Sequence, residues 1–488
     1  MSHLLSYTIF SPLLALIPLA LLPKEREKEM RWATLLASLV PLVLSFILFN
    51  RLRGTGEFEF IEIIPWFQGY NIDYRVGVDG FSAPLIALTA LLVPLVILQS
   101  WTEFKGRVCG FLFFLMLLEA GLIGVFAALD LFLFYVFWEA MLVPMYFLIG
   151  KWGGPRRIYA AIKFVLYTMV GSLLMLAAIL YLYFAAGHSF NLTDLYGLTL
   201  PGNTQYYLFA AFALAFAIKV PLFPFHTWLP DAHVEAPTGG SVLLAGVLLK
   251  MGTYGFLRFA LPLFPQAAIA FLPLLLTLAV IGVIYGSLVA MVQPDLKKLV
   301  AYTSVAHLGF VILGIASLTP QGVMGASLQM INHGISTGAL FLLVGMVYER
   351  RHTRQIADYG GIMSVMPIYG IIFLVVTLSS IALPGTNGFV GEFLILIGTF
   401  KSRPIYAILA STGVVFGAVT MLWMFRRVFF GPVTLEENKK LTDLSFREVA
   451  LMVPLLILIF WIGVAPGFLT KKMEKTVLKF VDQVSTNR

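Results

Sequence analysis

The sequence predicts an all-α, polytopic membrane protein of about 14 transmembrane helices, two of them broken near mid-membrane. Three observations carry this. Of the 488 residues, 59% are hydrophobic and 12% charged, whereas soluble domains carry roughly 25% charged residues. The mean hydropathy is +0.91, and the apolar residues come in runs of about 20, the helical length that crosses ~30 Å of hydrocarbon. Two of these runs are interrupted by proline or glycine beside an ionisable side chain.

In chain order the runs cover 5–22, 31–50, 82–100, 109–128, 131–150, 159–184, 206–228, 238–260, 268–291, 297–316, 322–348, 366–402, 404–430 and 448–468. Leu4 to Leu22 leads straight into further spans and reads as the first helix rather than a cleavable leader. The longer polar stretches 51–81 and 185–205 read as capping loops, and the acidic residues Glu57, Glu59 and Glu62 in the first as a solvated face. Val76 to Ser82 reads as a loop-to-helix start, not a phosphate loop, and Asp130 as the cap of the helix beginning at Leu131. The single cysteine, Cys109, excludes an internal disulfide and a cysteine-ligated metal centre. The net charge of +8 is not a nucleic-acid signal, because the Lys and Arg residues sit in short loops and the tail.

The first interruption lies in residues 215–250, where Lys219 is followed by Pro221 and Pro224 and a second lysine, Lys250, lies one membrane thickness further on. A lysine at mid-membrane costs roughly 2.5–3.5 kcal/mol, so each needs a function or a partner. Proline removes a backbone donor, and the freed carbonyl must be met by protein or water. The second interruption, Leu383 to Gly388, divides 366–402, which as one helix would be about 55 Å long. The breaks fall in the seventh and twelfth spans, five apart. That spacing predicts two five-helix repeats, 109–260 and 268–430, inverted because five is odd. Residues 1–108 supply three preceding helices, and 431–488 the last helix and a tail.

Placing loop 23–31 in the cytoplasm puts 19 Lys and Arg residues on that side, Lys105 among them, six on the other, five in the tail and three inside spans. This bias predicts both termini outside the cytoplasm of a bacterial or archaeal plasma membrane, with an organelle inner membrane as the alternative.

Seven ionisable residues fall at similar depth in seven spans: Glu119, Glu139, Lys219, Lys250, His307, His333 and Glu392. Any one of them could be a structural hydrogen-bonder; together they predict a proton relay along the midplane. Glu139 is the expected partner of Lys219: an opposite charge keeps a buried lysine charged, and withdrawing it favours proton release. Lys250 and the two histidines would pass the proton on, with Glu392 the terminal group and Glu119 a further member. Lys163, near a helix end, is expected to snorkel. His226, Asp231, His233 and Glu235 form a polar cluster whose expected role is hydrogen bonding in a turn or gate rather than metal binding.

These residues resemble the antiporter-like, proton-translocating membrane subunits of respiratory complex I, most closely the NuoM type. The resemblance spans essentially the whole chain and is most specific at Val76–Leu88, Asp130–Gly154, Lys219–Gly239 and Gly388–Glu392. It implies 14 helices with broken seventh and twelfth, a Glu139–Lys219 pair, Lys250 and the His307 and His333 relay, and Glu392 at the end of the path. The glutamate there, and the lack of a long lateral helix after the last span, set it apart from the NuoL type. The resemblance further implies a subunit of an H+-translocating NADH–quinone oxidoreductase with no redox centre of its own. NADH, FMN, iron–sulfur clusters and quinone would belong to partner subunits, and the neighbours would be NuoL-, NuoN- and NuoK-like. An Mrp-type cation/proton antiporter or membrane-bound hydrogenase subunit shares the Glu–Lys–Lys core and is the alternative. A stand-alone solute carrier is disfavoured because the polar groups form a row rather than a pocket, and a structural anchor because of the midplane charges.

Overall fold

The computed structural model describes residues 3–104 and 106–485. Lys105, counted above on the basic face, and Arg488 of the tail lie outside the described residues.

Among the described residues, twelve helices are long and apolar enough to cross a membrane: Leu4–Leu21, Glu27–Arg51, Ser82–Gln99, Val108–Ala127, Leu131–Trp152, Arg157–Ala185, Thr238–Leu263, Pro265–Met291, Leu296–Ala316, Pro320–Arg351, Pro404–Phe429 and Phe446–Val464. The two expected spans outside this set are the interrupted ones. Gly202–Lys219 stops at the first break and continues as Trp228–Glu235. Pro367–Ser380 stops at the second and resumes as Asn387–Ser402. Neither half of the second is long enough to count, and the first begins with Asn203 and Gln205 and ends on a lysine.

Each break is closed by protein, as hydrocarbon requires. At the first, Trp228 Nε1 donates to the Ile218 carbonyl at 2.9 Å. At the second, Asn332 Nδ2 donates to the Asn387 carbonyl at 2.7 Å and Asn387 Nδ2 to that of Asn332 at 3.3 Å. A Cβ on Gly388 would stand 2.2 Å from the Ser379 carbonyl oxygen, so only glycine lets the resumed helix approach its first half.

Burial sorts the helices. The apolar windows of Thr238–Leu263 and Pro320–Arg351 are 100% buried, whereas that of Pro404–Phe429 is 28% buried and that of Phe446–Val464 33%. The first two form the centre of the bundle; the others present apolar faces outward.

Loops that the charge count places on one side touch one another. On the basic side, Arg31 Nη2 donates to the Glu103 carbonyl (2.8 Å), Arg354 Nη1 to that of Val234 (2.7 Å), and Arg350 grips both oxygens of Glu448 at 2.7 Å. On the opposite side, Lys479 reaches Glu57 at 2.5 Å and Asp130 bridges to Asn191.

The stretch expected as a plain loop, 51–81, contains an antiparallel hairpin, β1 (Glu59–Phe67) and β2 (Ile72–Val78). The solvated-face reading fails for Glu62. It is 5% exposed and accepts the Leu5 N–H at 2.8 Å and the Ser6 hydroxyl, so its carboxylate covers the N-terminal end of the first helix. Glu59 is also held: burial opposes its ionisation, but the N–H groups of Arg53, Thr55 and Gly54 outweigh this and keep its carboxyl below the usual range. Strand pairing brings these carboxylates to backbone donors, which a run of acidic letters does not reveal.

Asp79 starts the third span as expected, accepting from Phe81 N (3.0 Å) and Ser82 N (3.1 Å) through Oδ1. Asp130 caps Leu131–Ala140 by accepting from Leu133 N at 2.9 Å. After the last span the chain forms an amphipathic helix, Gly467–Ser485, that buries Leu469, Met473, Val477, Phe480 and Val484 against the bundle. Its Thr476 hydroxyl accepts from Gly80 N at 3.2 Å, and Lys472 donates to the Leu52 carbonyl.

The second oxygen of Asp79 meets Arg258 Nη2 at 2.5 Å, with both residues buried. Arg258 Nε donates to the Tyr254 hydroxyl at 3.1 Å, and Tyr196 donates to the Arg258 carbonyl at 2.9 Å. This clamp ties the hairpin to the central helix. Replacing Arg258 with alanine strands a buried carboxylate at a cost of about 3–5 kcal/mol. The Arg258→Ala subunit is therefore expected to melt several degrees lower in detergent when followed by fluorescence-detected size exclusion. An unchanged melting profile would show that the clamp carries no stability.

Candidate functional site

Four of the seven midplane residues are brought into one contact chain. Lys250, on the central Thr238–Leu263 helix, is fully buried. That helix widens to a π-turn over Leu244–Leu248, within which lies the Ala245 carbonyl. The Lys250 ammonium donates to this carbonyl and lies 2.6 Å from His333 Nδ1. A charged Lys250 has only donors, so His333 Nδ1 accepts and its proton sits on Nε2, an atom with no partner among the described residues.

The His333 and His307 rings stand 5.7 Å apart at 61°. His307 Nδ1 lies 2.9 Å from Glu392 Oε1, an oxygen that also accepts from Gln329 Nε2 at 3.0 Å. His307 Nε2 is 3.4 Å from Ser380 Oγ, at the edge of the second break. Gln329, His333 and Ser336 share one face of Pro320–Arg351 because they are spaced by four and three residues. Between the two histidines is a cavity of about 10 Å³ lined by His307, Asn332, His333, Ser336, Ser379 and Ser380. That is close to the room one water needs, and the lining is polar. The chain can thus hand a proton from an amine through two imidazoles to a carboxylate, with one gap of about a single water.

The other three residues stand apart. Lys219 is the last residue of its half-helix and fully buried. Its Nζ is 3.7 Å from Met141 Sδ and lies over the Trp138 and Phe164 rings at 5.2 and 5.3 Å. The expected contact with Glu139 is not made: the two form no ion pair among the described residues, and Glu139 Oε1 is buried without a partner. Successive helical residues point about 100° apart at 3.6 residues per turn, so Trp138 and Met141 face the lysine while Glu139 is turned aside. Glu119 is wholly buried, and neither carboxyl oxygen has a hydrogen-bond partner among the described residues.

The polar cluster does not behave as one unit. Asp231 accepts from Lys163 Nζ at 2.7 Å, so that lysine ends on a carboxylate of the broken helix instead of reaching for the surface. Glu235 accepts from Arg156 N at 2.8 Å. No group of three or more candidate metal ligands occurs among the described residues.

His233 is what the sequence reading undervalues. It is fully buried, stacks on Phe341 at 4.5 Å and 12°, and neither ring nitrogen has a hydrogen-bond partner among the described residues. Lys297, the first residue of the expected span 297–316 and counted there on the basic side, is 6% exposed, with Nζ 2.5 Å from the Ala236 carbonyl. The one signal available for His233 is its position on the continuation of a helix broken at mid-membrane.

Comparison with known proteins accords with this geometry. The family model described as NADH:quinone oxidoreductase/Mrp antiporter matches residues 128–417, and that of the amino terminus of NADH-ubiquinone oxidoreductase chain 4 matches residues 7–125. The chain is 45% identical to NADH-quinone oxidoreductase subunit M of Rhodobacter capsulatus, over 99% of this chain and 97% of that one. It superposes on a chain of respiratory complex I from Thermus thermophilus with a TM-score of 0.91 at 35% identity, over 99% and 100% of the two chains. A chain of the Mrp complex from Dietzia sp. has the same fold, with a TM-score of 0.86 at 19% identity over 99% and 97%. The chain belongs to the antiporter-like membrane-subunit family of NADH:quinone oxidoreductase, in the branch of subunit M and chain 4.

Proposed function

We propose that this chain moves protons across the membrane as a subunit of complex I, through Lys250, His333, His307 and Glu392. The observation that carries this is their contact chain, from a buried amine to a buried carboxylate, ending beside the second break. Glu139 and Lys219 form the loading switch. When Glu139 swings toward Lys219 it holds the lysine charged; when it turns away, as in the arrangement described, the lysine is left among aromatic rings and its proton is driven onward. Glu119, on the helix that packs its Gly121 against Met141, is a further acceptor on the switch side.

The two broken helices support an organisation in inverted repeats, 109–260 and 268–430, since the first runs toward the basic face and the second away from it. Residues 1–108 and 431–488 flank these repeats. NADH, FMN, iron–sulfur clusters and quinone belong to partner subunits, and this chain contributes the translocase step without a redox centre. NuoL-, NuoN- and NuoK-like subunits are its membrane neighbours, and the basic face is cytoplasmic, with both termini outside. Co-purification of the tagged chain from native membranes, with partner identification and an NADH oxidation assay, tests the assembly.

Two sets of variants test the path. Lys219→Ala and Glu139→Ala are each expected to lower proton pumping and coupled NADH–quinone turnover by about tenfold or more, equivalent to about 1.4 kcal/mol on the barrier, in a complex that still assembles. Normal pumping in both would remove the switch. His333→Ala deprives Lys250 of its side-chain partner, leaving only the Ala245 carbonyl, and separates it from His307. Pumping measured by dye quenching in vesicles is expected to fall as far as in Glu392→Gln, and the double variant no further, since both cut one path. Additive losses would mean two separate routes.

A further inference from the structure

A groove of about 80 Å³ lies on the hairpin side of the bundle, away from the relay, and every residue lining it is apolar. Phe46 and Phe49 of Glu27–Arg51, Leu88 and Leu91 of Ser82–Gln99, Ile335 of Pro320–Arg351 and Leu469 of the amphipathic helix form its main walls. Phe49 lies two residues before the end of its helix, where the chain leaves for the hairpin, so this end of the groove is at the membrane surface. Ile331 and Ile335 mark its deep end. Four apart, they share the face of their helix about 200° round from His333, behind the relay. Phe46, at the edge, is 52% exposed, so the groove reaches the outer surface of the bundle.

An apolar space of this kind stays dry and takes an apolar guest. A helix, about 10–12 Å across with its side chains, is too wide to enter it. The lining offers no polar side chain to orient a quinone ring. A single hydrocarbon chain fits both limits.

The surface end of the groove is basic. Lys472 Nζ donates to the carbonyls of Asn50, at 3.2 Å, and Leu52, directly beyond Phe49. The backbones meet as well: a Cβ on Gly54 would stand 2.9 Å from the Lys472 carbonyl oxygen. The two segments joined there, 51–59 and 471–479, carry six basic residues against three acidic ones. Two of the three acids are already engaged, Glu57 by Lys479 and Glu59 by Arg53. Lys471 and Lys475, four residues apart, share one exposed face just beyond the lining residue Leu469. Trp461 stacks on Phe468, also in the lining, at 4.4 Å, an indole at the level where the last span gives way to the interface.

We propose that this groove holds one acyl chain of an anionic phospholipid, with the phosphate against Lys471 and Lys475. The chain fills the space between the second and third spans and the central helix Pro320–Arg351, and the basic rim selects the headgroup. The lipid is thereby part of the wall behind His333.

Photolabelling of the intact complex in vesicles tests this. The probe is phosphatidylglycerol with a diazirine at the end of one acyl chain, and labelled peptides are mapped by mass spectrometry. Label is expected on the peptides containing Leu88, Leu91, Ile331 and Ile335, roughly fivefold or more above that from phosphatidylcholine with the same tail, about the factor one lysine near a membrane surface contributes. The excess should vanish in Lys471→Gln/Lys475→Gln. Ala87→Trp, which fills the groove, should lose the label from both probes, and Ala87→Leu serves if the tryptophan variant does not assemble. No label on these peptides, or label unchanged in an assembled groove-filled variant, overturns the site. Equal labelling by the two phospholipids, or an excess that survives the lysine substitutions, overturns the anionic headgroup. Displacement of the label by an equimolar long-tailed quinone overturns the phospholipid as occupant. Labelling does not depend on pumping, so it stands or falls separately from the proton path.

Discussion

Hydrocarbon offers no hydrogen bonds, and the rest of this structure follows from that constraint. Every freed carbonyl and every buried charge must be met inside the bundle. The two helices whose apolar windows are wholly buried, Thr238–Leu263 and Pro320–Arg351, carry Lys250 and His333, the closest contact of the chain. The Ala245 carbonyl, within the π-turn at Leu244–Leu248, is the oxygen that accepts from the Lys250 ammonium. The second break works alike. Interrupting the helix frees polar groups around Ser379 to Asn387, and these line the small cavity between the histidines.

The same constraint explains what was legible in the sequence. An ionisable residue inside an apolar run is expensive, so Lys250, His307, His333 and Glu392 announce themselves by type and depth alone, and the proline and glycine breaks do likewise. Contact between them is not legible, because it depends on helix rotation. Glu139 and Trp138 are adjacent letters at the same depth, yet about 100° of rotation puts the indole over Lys219 and turns the carboxylate aside. His233 and Lys297 escape notice for a different reason. Both lie where hydropathy fades into a loop, and only the packing of the broken helix against its neighbours shows them to be buried. The hairpin escapes because its strands leave Ile61, Ile63, Ile64, Trp66 and Phe67 exposed, so the period-2 alternation that marks a half-buried strand is missing.

The two halves of the row differ in wiring, and the difference bears on control. From Lys250 to Glu392 the groups are linked by direct contacts and one water-sized gap, so along the proposed path a proton would need only reorientation of imidazoles. Around Lys219 there is no comparable link: sulfur, two aromatic rings and a carboxylate turned away surround it. In the proposed switch, a charge in such a setting cannot be at rest for both positions of Glu139, since the partner that stabilises the ammonium is also the one that must leave before the proton does. A pump needs one segment whose conduction is conditional and another that conducts whenever loaded. The helix that ends at Lys219 and the short turn at Met141, where Leu131–Ala140 gives way to Leu142–Trp152, are the segments able to supply the condition. Both are interruptions of regular helix, and a small rotation at either changes the Glu139–Lys219 distance without disturbing the closely packed centre.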